Sequence, residues 1–270
     1  MTRQRSGLEA AMFKIVMFGL AALGLLLLIL PTIVVVVVSF TSGFSLRFPP
    51  TGDSLRWYAA LIDAWQLHFA ATNSLKVAFW TTLCSVVFGV AAALAIARSE
   101  NWKARVLDSL FMSPLVLPAL AFGLASLMFF SVIGLQMSLL TLVIGHTIVC
   151  VPYVVRTTIG ALAQLNPALL ESSASLGASK LYTFRRVTLP LIRPGIFAGA
   201  FIAFMSSFDN VPVSLFLRDA RTDMLPIRMW QDLEGKLDVT IAAVSGVMIA
   251  VTILALVVME RVAGLSRRLR

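Results

Sequence analysis

Charge is scarce in this sequence. Lys, Arg, Asp and Glu together make up 13% of its 270 residues, where a soluble domain carries about 25%. Acids are scarcer than bases, 13 Asp and Glu against 22 Lys and Arg. Cysteine occurs twice, as Cys84 and Cys150, each inside an apolar run. That excludes a disulfide framework and marks both as small buried hydrophobes. The two histidines, His68 and His146, lie far apart in the sequence, and neither stands in a cluster of carboxylates and cysteines of the kind that ligates a metal, so no metal site is expected. No Gly-x-x-x-x-Gly-Lys-Ser/Thr phosphate loop is present: Lys236 follows Gly235, but no glycine occupies the earlier position. No catalytic triad is evident. The chain is therefore expected to be no enzyme, with no cofactor of its own. Short-period repeats and low-complexity linkers are also missing.

Apolar residues fill the space that charge leaves. They make up 59% of the chain, and the mean hydropathy is +0.92. Several runs exceed the roughly 18 residues that mark a bilayer span. A net charge of +9 raises the question of nucleic acid. The bases sit beside apolar runs rather than on a soluble face, so membrane topology accounts for them and no nucleic-acid partner is expected. Arg3, Arg5 and Lys14 precede an apolar run over residues 15–40. That run is far longer than the roughly 7–15 residues of a signal-peptide core, which predicts an uncleaved first helix.

Six spans are predicted, at about 15–40, 77–97, 110–133, 139–155, 195–217 and 241–259. Backbone groups in lipid must be satisfied internally, and these lengths suit helices rather than barrel strands. The expected fold is an all-α integral membrane protein, one transmembrane domain over 1–270. Pro31, Pro114, Pro118 and Pro212 predict kinks or local unwinding, and Pro152 falls near the end of the short fourth run. Most of the 22 bases lie on the N-terminal side of the membrane: Arg3, Arg5, Lys14, Arg98, Lys103, Arg105, Arg156, Lys180, Arg185, Arg186, Arg193, Arg261, Arg267, Arg268 and Arg270. Arg47, Arg56, Lys76, Arg218, Arg221, Arg228 and Lys236 fall on the other side. The bias predicts a multi-pass protein with both termini cytoplasmic. Outside, residues 41–76 hold Trp57, Tyr58, Trp65 and Phe69 and predict a short interfacial helix. Pro226 opens another helix within 218–240. Both loops suit lipid anchoring or an extracytoplasmic partner.

The cytoplasmic loop 156–194 contains a polar island, Glu171 to Pro190. Asn166 and Pro167 read as a helix cap followed by proline in the first turn. Gly177 fits a left-handed helix C-terminus. Ser179 caps a second short helix, Leu189-Pro190 stops it, and Arg193-Pro194-Gly195 leads into the fifth span. The spacing here resembles the cytoplasmic motif of ABC importer permeases: Glu-Ala-Ala, three residues, Gly, nine residues, Ile-x-Leu-Pro. Glu171, Gly177, Leu189 and Pro190 match it. Ser172 and Ser173 replace the alanines, and Val187 replaces isoleucine. The resemblance implies a type I ABC importer permease fold, in which this loop is the coupling helix seated in a groove of an ATPase subunit. Glu171, Ser172, Ser173, Gly177, Ala178, Arg185, Leu189 and Pro190 would form the coupling site. It further implies a bacterial inner-membrane location and a second, homologous permease. Two ATPase subunits would bind ATP and Mg, and a solute-binding protein would dock outside.

Asp209 is the one acid well inside a predicted span. A carboxylate there costs roughly 2.5–3.5 kcal/mol on insertion scales. It therefore predicts a water-filled path or a partner, with Asn210 or Ser206 as structural alternatives. Phe208, Asp209 and Asn210 form the candidate substrate path, where a carboxylate among aromatic rings could hold an ammonium. The string over 207–217, with Leu225-Pro226 and the run 240–245, resembles the spermidine/putrescine-type branch of these permeases. That implies a polyamine or related amine as substrate. Asn210 stands where some members carry a second acid, which leaves aminophosphonates, opines and amino-acid-like compounds as alternatives. An ion-coupled secondary transporter would show an inverted repeat and several intramembrane acids. A non-transporting membrane scaffold is the remaining class.

Overall fold

The computed structural model describes residues 2–97, 101–236 and 239–263. Arg98, Arg267, Arg268 and Arg270 of the topological charge pattern lie outside them. The described chain is almost entirely helical, and it gathers into two compact units. One comprises residues 1–64 and 232–251, the other 65–231 and 252–270.

In the first unit, helix α1 (Thr2–Ser39) carries a long apolar stretch, Met12–Ser39. Over Met12–Ser39 the side chains are exposed nearly all round, as suits a helix whose surroundings are lipid or another subunit. The chain then turns through an isolated antiparallel bridge, Thr41 with Asp53, into the short helix α2 (Arg56–Ile62), which holds Trp57 and Tyr58 of the helix expected in this loop, while Trp65 and Phe69 fall on the helix that follows. The Arg56 guanidinium lies 4.1 Å from the Phe44 ring and 4.5 Å from that of Trp57. The Trp57 indole N–H donates to the Thr41 carbonyl at 3.0 Å. The Tyr58 hydroxyl bonds to that of Ser39 at 2.7 Å, in space that Gly246 leaves open.

The second unit is built on α3 (Trp65–Ala97), α6 (Leu139–Ala163) and α9 (Leu189–Phe208). Small residues let these helices approach closely, as membrane helices do where apolar attraction between them is absent. On α9, Gly195, Gly199, Ala203 and Ser207 recur every four residues and so share one face. A Cβ added at Gly199 would overlap the Thr157 hydroxyl and lie 2.9 Å from Val154 Cα. One at Gly195 would lie 2.7 Å from the Thr157 carbonyl oxygen. On α3, a Cβ at Gly89 would lie 2.7 Å from Val154 Cβ. The buried α3 residues Ser74, Ala78, Thr81, Ser85, Gly89 and Ala93 continue that small-residue seam. The Cys150 thiol donates to the Ala203 carbonyl at 3.5 Å, and Cys84 and Cys150 are both free thiols.

Among the described residues five helices are long and apolar enough to cross a membrane, or six if one bent pair counts as a single span. The expected boundaries change in four places. The second span starts at Trp65 rather than 77, because its polar residues serve the fold. The Asn73 amide donates to the Arg221 and Asp223 carbonyls at 3.3 and 3.2 Å, and the Ser74 hydroxyl accepts the Leu225 N–H at 2.9 Å. The third span is two helices, α4 (Trp102–Val116) and α5 (Ala119–Val132), bent by 104°. Leu117 between them is extended, φ −74° and ψ 140°, as the residue before Pro118 must be. The fourth span runs past Pro152 to Ala163.

The fifth span departs furthest. Leu189-Pro190 does not stop a helix. Instead α8 (Lys180–Thr183) passes through a π-helical turn, Phe184–Thr188, directly into α9. The ring of Pro190 would collide with the Arg186 carbonyl in a regular α-helix. Arg186 lies in the wider π turn, where the Leu189 N–H reaches back to Phe184. At its far end the span breaks at Asp209-Asn210, and the short helix α10 (Val211–Leu217) follows. A further helix, α11 (Leu225–Lys236), carries Pro226 in its first turn as expected, and α12 (Thr240–Ala263) supplies the last span.

Candidate functional site

The loop over residues 156–194 assembles from local chemistry. Asn166 caps α7 (Pro167–Ser175) by accepting the Ala168 N–H at 3.0 Å, with Pro167 in the first turn. The helix ends as the sequence predicts. Gly177 has φ +76°, its N–H donates to the Ala174 carbonyl at 2.9 Å, and the Ala178 N–H donates to Ser173 at 3.1 Å. These are the paired bonds of a Schellman motif. Ser179 caps α8 through the Tyr182 N–H at 3.3 Å. The buried Ser173 hydroxyl bonds to that of Thr183 at 2.8 Å, tying the two short helices together. Serine in place of the motif's second alanine thus acquires a structural task.

Glu171, Ser172 and Arg185 are exposed, and Ala178, Leu189 and Pro190 are half-buried. The side chains of Glu171 and Arg185 make no hydrogen bond or ion pair among the described residues. Beside them the structure exposes apolar groups that sequence reading passed over. Leu176 is 87% exposed, Leu181 64% and Tyr182 57%. A groove of about 730 Å³ runs past Leu169, Leu176, Tyr182 and Val187. A second of about 570 Å³ lies along Leu181, Tyr182, Arg185 and Arg186. Their signal was present in the sequence, as single apolar residues inside a polar island.

The candidate substrate path is less uniform than expected. Asp209 is exposed at the break between α9 and α10, and among the described residues its carboxylate has no partner. Neither Asn210 nor Ser206 bonds to it. The Asn210 side chain instead caps α10 by accepting the Val213 N–H at 3.0 Å. Phe208 is buried and stacks on Phe204, centroids 6.2 Å apart. Next to the break, fully buried His146 of α6 bonds through Nδ1 to the Ser207 hydroxyl at 2.9 Å and through Nε2 to the Ser214 hydroxyl at 3.1 Å. Sequence reading missed this residue because its partners lie on other helices. Beyond α10 the loop is ordered by Asp219. The Thr222 hydroxyl, helped by backbone N–H groups, holds its carboxyl below the ordinary carboxylate range. Arg218 and Asp223 pair at 3.0 Å.

Several helices of membrane-spanning length, among them one broken beside an exposed acid, define a multi-pass membrane protein. The chain belongs to the family described as binding-protein-dependent transport system inner membrane component, which it matches over residues 85–270. It is 28% identical over 237 residues to the spermidine/putrescine transport system permease protein PotC of Haemophilus influenzae, covering 87% of this chain and 90% of that one. It is 28% identical over 212 residues to the putrescine transport system permease protein PotI of Escherichia coli K12, covering 76% and 75%. Among solved structures it resembles a chain of a bacterial alginate ABC transporter in complex with alginate pentasaccharide-bound periplasmic protein. The TM-score is 0.67 at 17% identity, over 94% of each chain. A chain of the inward-facing MetNI methionine ABC transporter gives 0.62 at 19% identity, over 74% and 95%. At such identities the likeness establishes the fold, that of a type I ABC importer permease. The chain is thus a permease of an ABC importer in the inner membrane, and not an enzyme.

Proposed function

We propose that this chain is the translocation subunit of an ATP-driven importer for a small organic cation, a polyamine or related amine. A solute-binding protein delivers the cargo outside, and two ATPase subunits, which hold the ATP and Mg, dock on the cytoplasmic loops. A second, homologous permease completes the path, and both termini lie in the cytoplasm. One observation carries the reading: an unbroken helical segment, Lys180–Phe208, runs 29 residues from the loop to the Asp209 break. At about 1.5 Å per residue it is a lever roughly 40 Å long. A displacement of the 166–190 loop by an ATPase therefore reaches the carboxylate. The coupling role of Glu171, Gly177 and Arg185 draws support from their exposure and from the turn geometry. The amine draws support from the Asp209 carboxylate, which has no partner among the described residues, and from the named cargo of the PotC and PotI relatives.

The test is co-expression with candidate ATPase, second-permease and binding-protein subunits from the same organism, followed by uptake of radiolabelled putrescine and spermidine into proteoliposomes. ATP-dependent accumulation is expected. A complex that hydrolyses ATP in response to the loaded binding protein but accumulates neither amine overturns the substrate class. Failure of the ATPase to co-purify overturns the docking role. A second reading has one observation behind it: Asn210 is committed to capping α10, so the break offers one carboxylate. An amine with a single ammonium, an amino-acid-like or aminophosphonate compound, would then compete with putrescine at equal concentration.

A further inference from the structure

We propose that His146 is a positioning residue: its ring bridges the two sides of the α9–α10 break and fixes where Asp209 presents its carboxylate. The proposal rests on the reading of Asp209 as part of the substrate path.

A broken helix leaves backbone groups without intrahelical partners, and within a membrane such breaks persist only where the freed groups are satisfied or face water. Here the local bonds are few. The Asn210 side chain takes the Val213 N–H, the Val211 N–H bonds to the Asp209 carbonyl at 3.0 Å, and the Asn210 N–H reaches Ser207 at 3.4 Å. None of these fixes the angle between the two helices. His146 does, because Ser207 closes α9 two residues before Asp209 and Ser214 stands in α10 five residues after it. A neutral imidazole has one donor and one acceptor, and each serine hydroxyl is both, so either tautomer satisfies all three groups.

The backbone of α6 is also brought close to α10 at this point. Gly145 precedes His146; a Cβ there would overlap the Leu217 side chain and lie 3.2 Å from Val213 Cγ1. On the α5 side, a Cβ at Gly123 would lie 2.8 Å from both the Phe216 ring and the Pro212 carbonyl oxygen. The short helix is thus gripped between two glycines and tied by one histidine. Asp209, with no partner of its own among the described residues, takes its position from these contacts.

The test uses the full complex in proteoliposomes, with binding protein saturating, and reads putrescine imported per ATP hydrolysed. His146→Ala is expected to lower that ratio about tenfold, in line with small misplacements of a recognition group, while the ATPase subunits still co-purify. His146→Asn and His146→Gln, which keep one donor and one acceptor, are expected to restore part of it. Ser207→Ala and Ser214→Ala, which each remove one bond and little volume, are expected to lower it several-fold, and they decide the matter if His146→Ala does not accumulate. In an Asp209→Ala background His146→Ala should add no further loss. If Asp209→Ala imports as the native chain does, the path reading falls and this proposal with it. If Asp209→Ala is impaired and His146→Ala reduces it again by the same factor, His146 is structural alone and only this proposal is overturned.

Discussion

Two residues carry the sharpest expectations. Gly177 adopts φ +76°, a region that costs an L-residue with a Cβ about 1–2 kcal/mol. Gly177→Val should therefore displace the Schellman turn and the exposed Leu176 beside it. The outcome to measure is the ratio of uptake to ATP hydrolysis, expected to fall several-fold; Gly177→Asn, a side chain that tolerates this conformation, should keep most of it. Equal ratios in all three proteins would remove the turn from the coupling argument. Asp209 is the second. Asp209→Asn preserves shape and removes charge. A charged hydrogen bond is worth about 1.5–3 kcal/mol, so uptake of a cationic substrate should fall about tenfold or more. Assembly, read by co-purification, should be unchanged because the Asp209 carboxylate bonds to nothing in the described chain. Undiminished putrescine uptake would take Asp209 off the path.

At the scale of elements, the contact between α6 and α9 depends on residues that contribute almost no side chain. A methyl group at Gly199 meets the Val154 backbone, Cα at 2.9 Å, and a backbone cannot rotate aside. Gly199→Ala is expected to destabilise by about 1–3 kcal/mol through overpacking. Gly160, on the same helix pair but with nothing within 4 Å of an added Cβ, is the control. Gly160→Ala should be neutral or gain up to about 1 kcal/mol of helix propensity. Thermal denaturation of detergent-solubilised protein separates the two; a lower Tm for both, or for neither, would contradict the packing. The same elements show what the sequence could convey. Asn166, Gly177 and Ser179 announced their turns because each acts on a backbone group within three residues. The π turn before Pro190 was hidden, since a Leu-Pro pair after a short helix ordinarily reads as a stop. The break at Asp209 had a local signal, Asn210 with Pro212 in the first turn of α10, the same pattern as Asn166-Pro167. Pro212 accordingly predicts local unwinding there, and the Asn210 cap fixes where α10 begins. His146 had no local signal, because its two partners are 61 and 68 residues away in the chain.

For the molecule as a whole, the open question is which side of the membrane each end of the lever occupies. Arg193 is the last base before the apolar part of α9, and about fifteen residues separate it from Asp209. That is roughly 22 Å of helix, which sets Asp209 in the far half of a hydrocarbon core about 30 Å thick. If the basic loop is cytoplasmic, the carboxylate is presented toward the delivery side. If the orientation is reversed, the same carboxylate faces the cytoplasm, and the loop would meet a binding protein instead of an ATPase. Single cysteines decide between these. In a background with Cys84 and Cys150 replaced by alanine, Ser45→Cys marks the exposed loop after α1 and Ser179→Cys the exposed start of α8. With a membrane-impermeant maleimide, Ser45→Cys should react in spheroplasts and Ser179→Cys only in inside-out vesicles. The opposite pattern would overturn the cytoplasmic placement of both termini. The exposed Leu176, Leu181 and Tyr182 would then belong to an extracytoplasmic contact. With the expected pattern, adding the ATPase subunits to the vesicles should protect Ser179→Cys and leave Ser45→Cys reactive, because only the loop at the inner end of the lever is then covered.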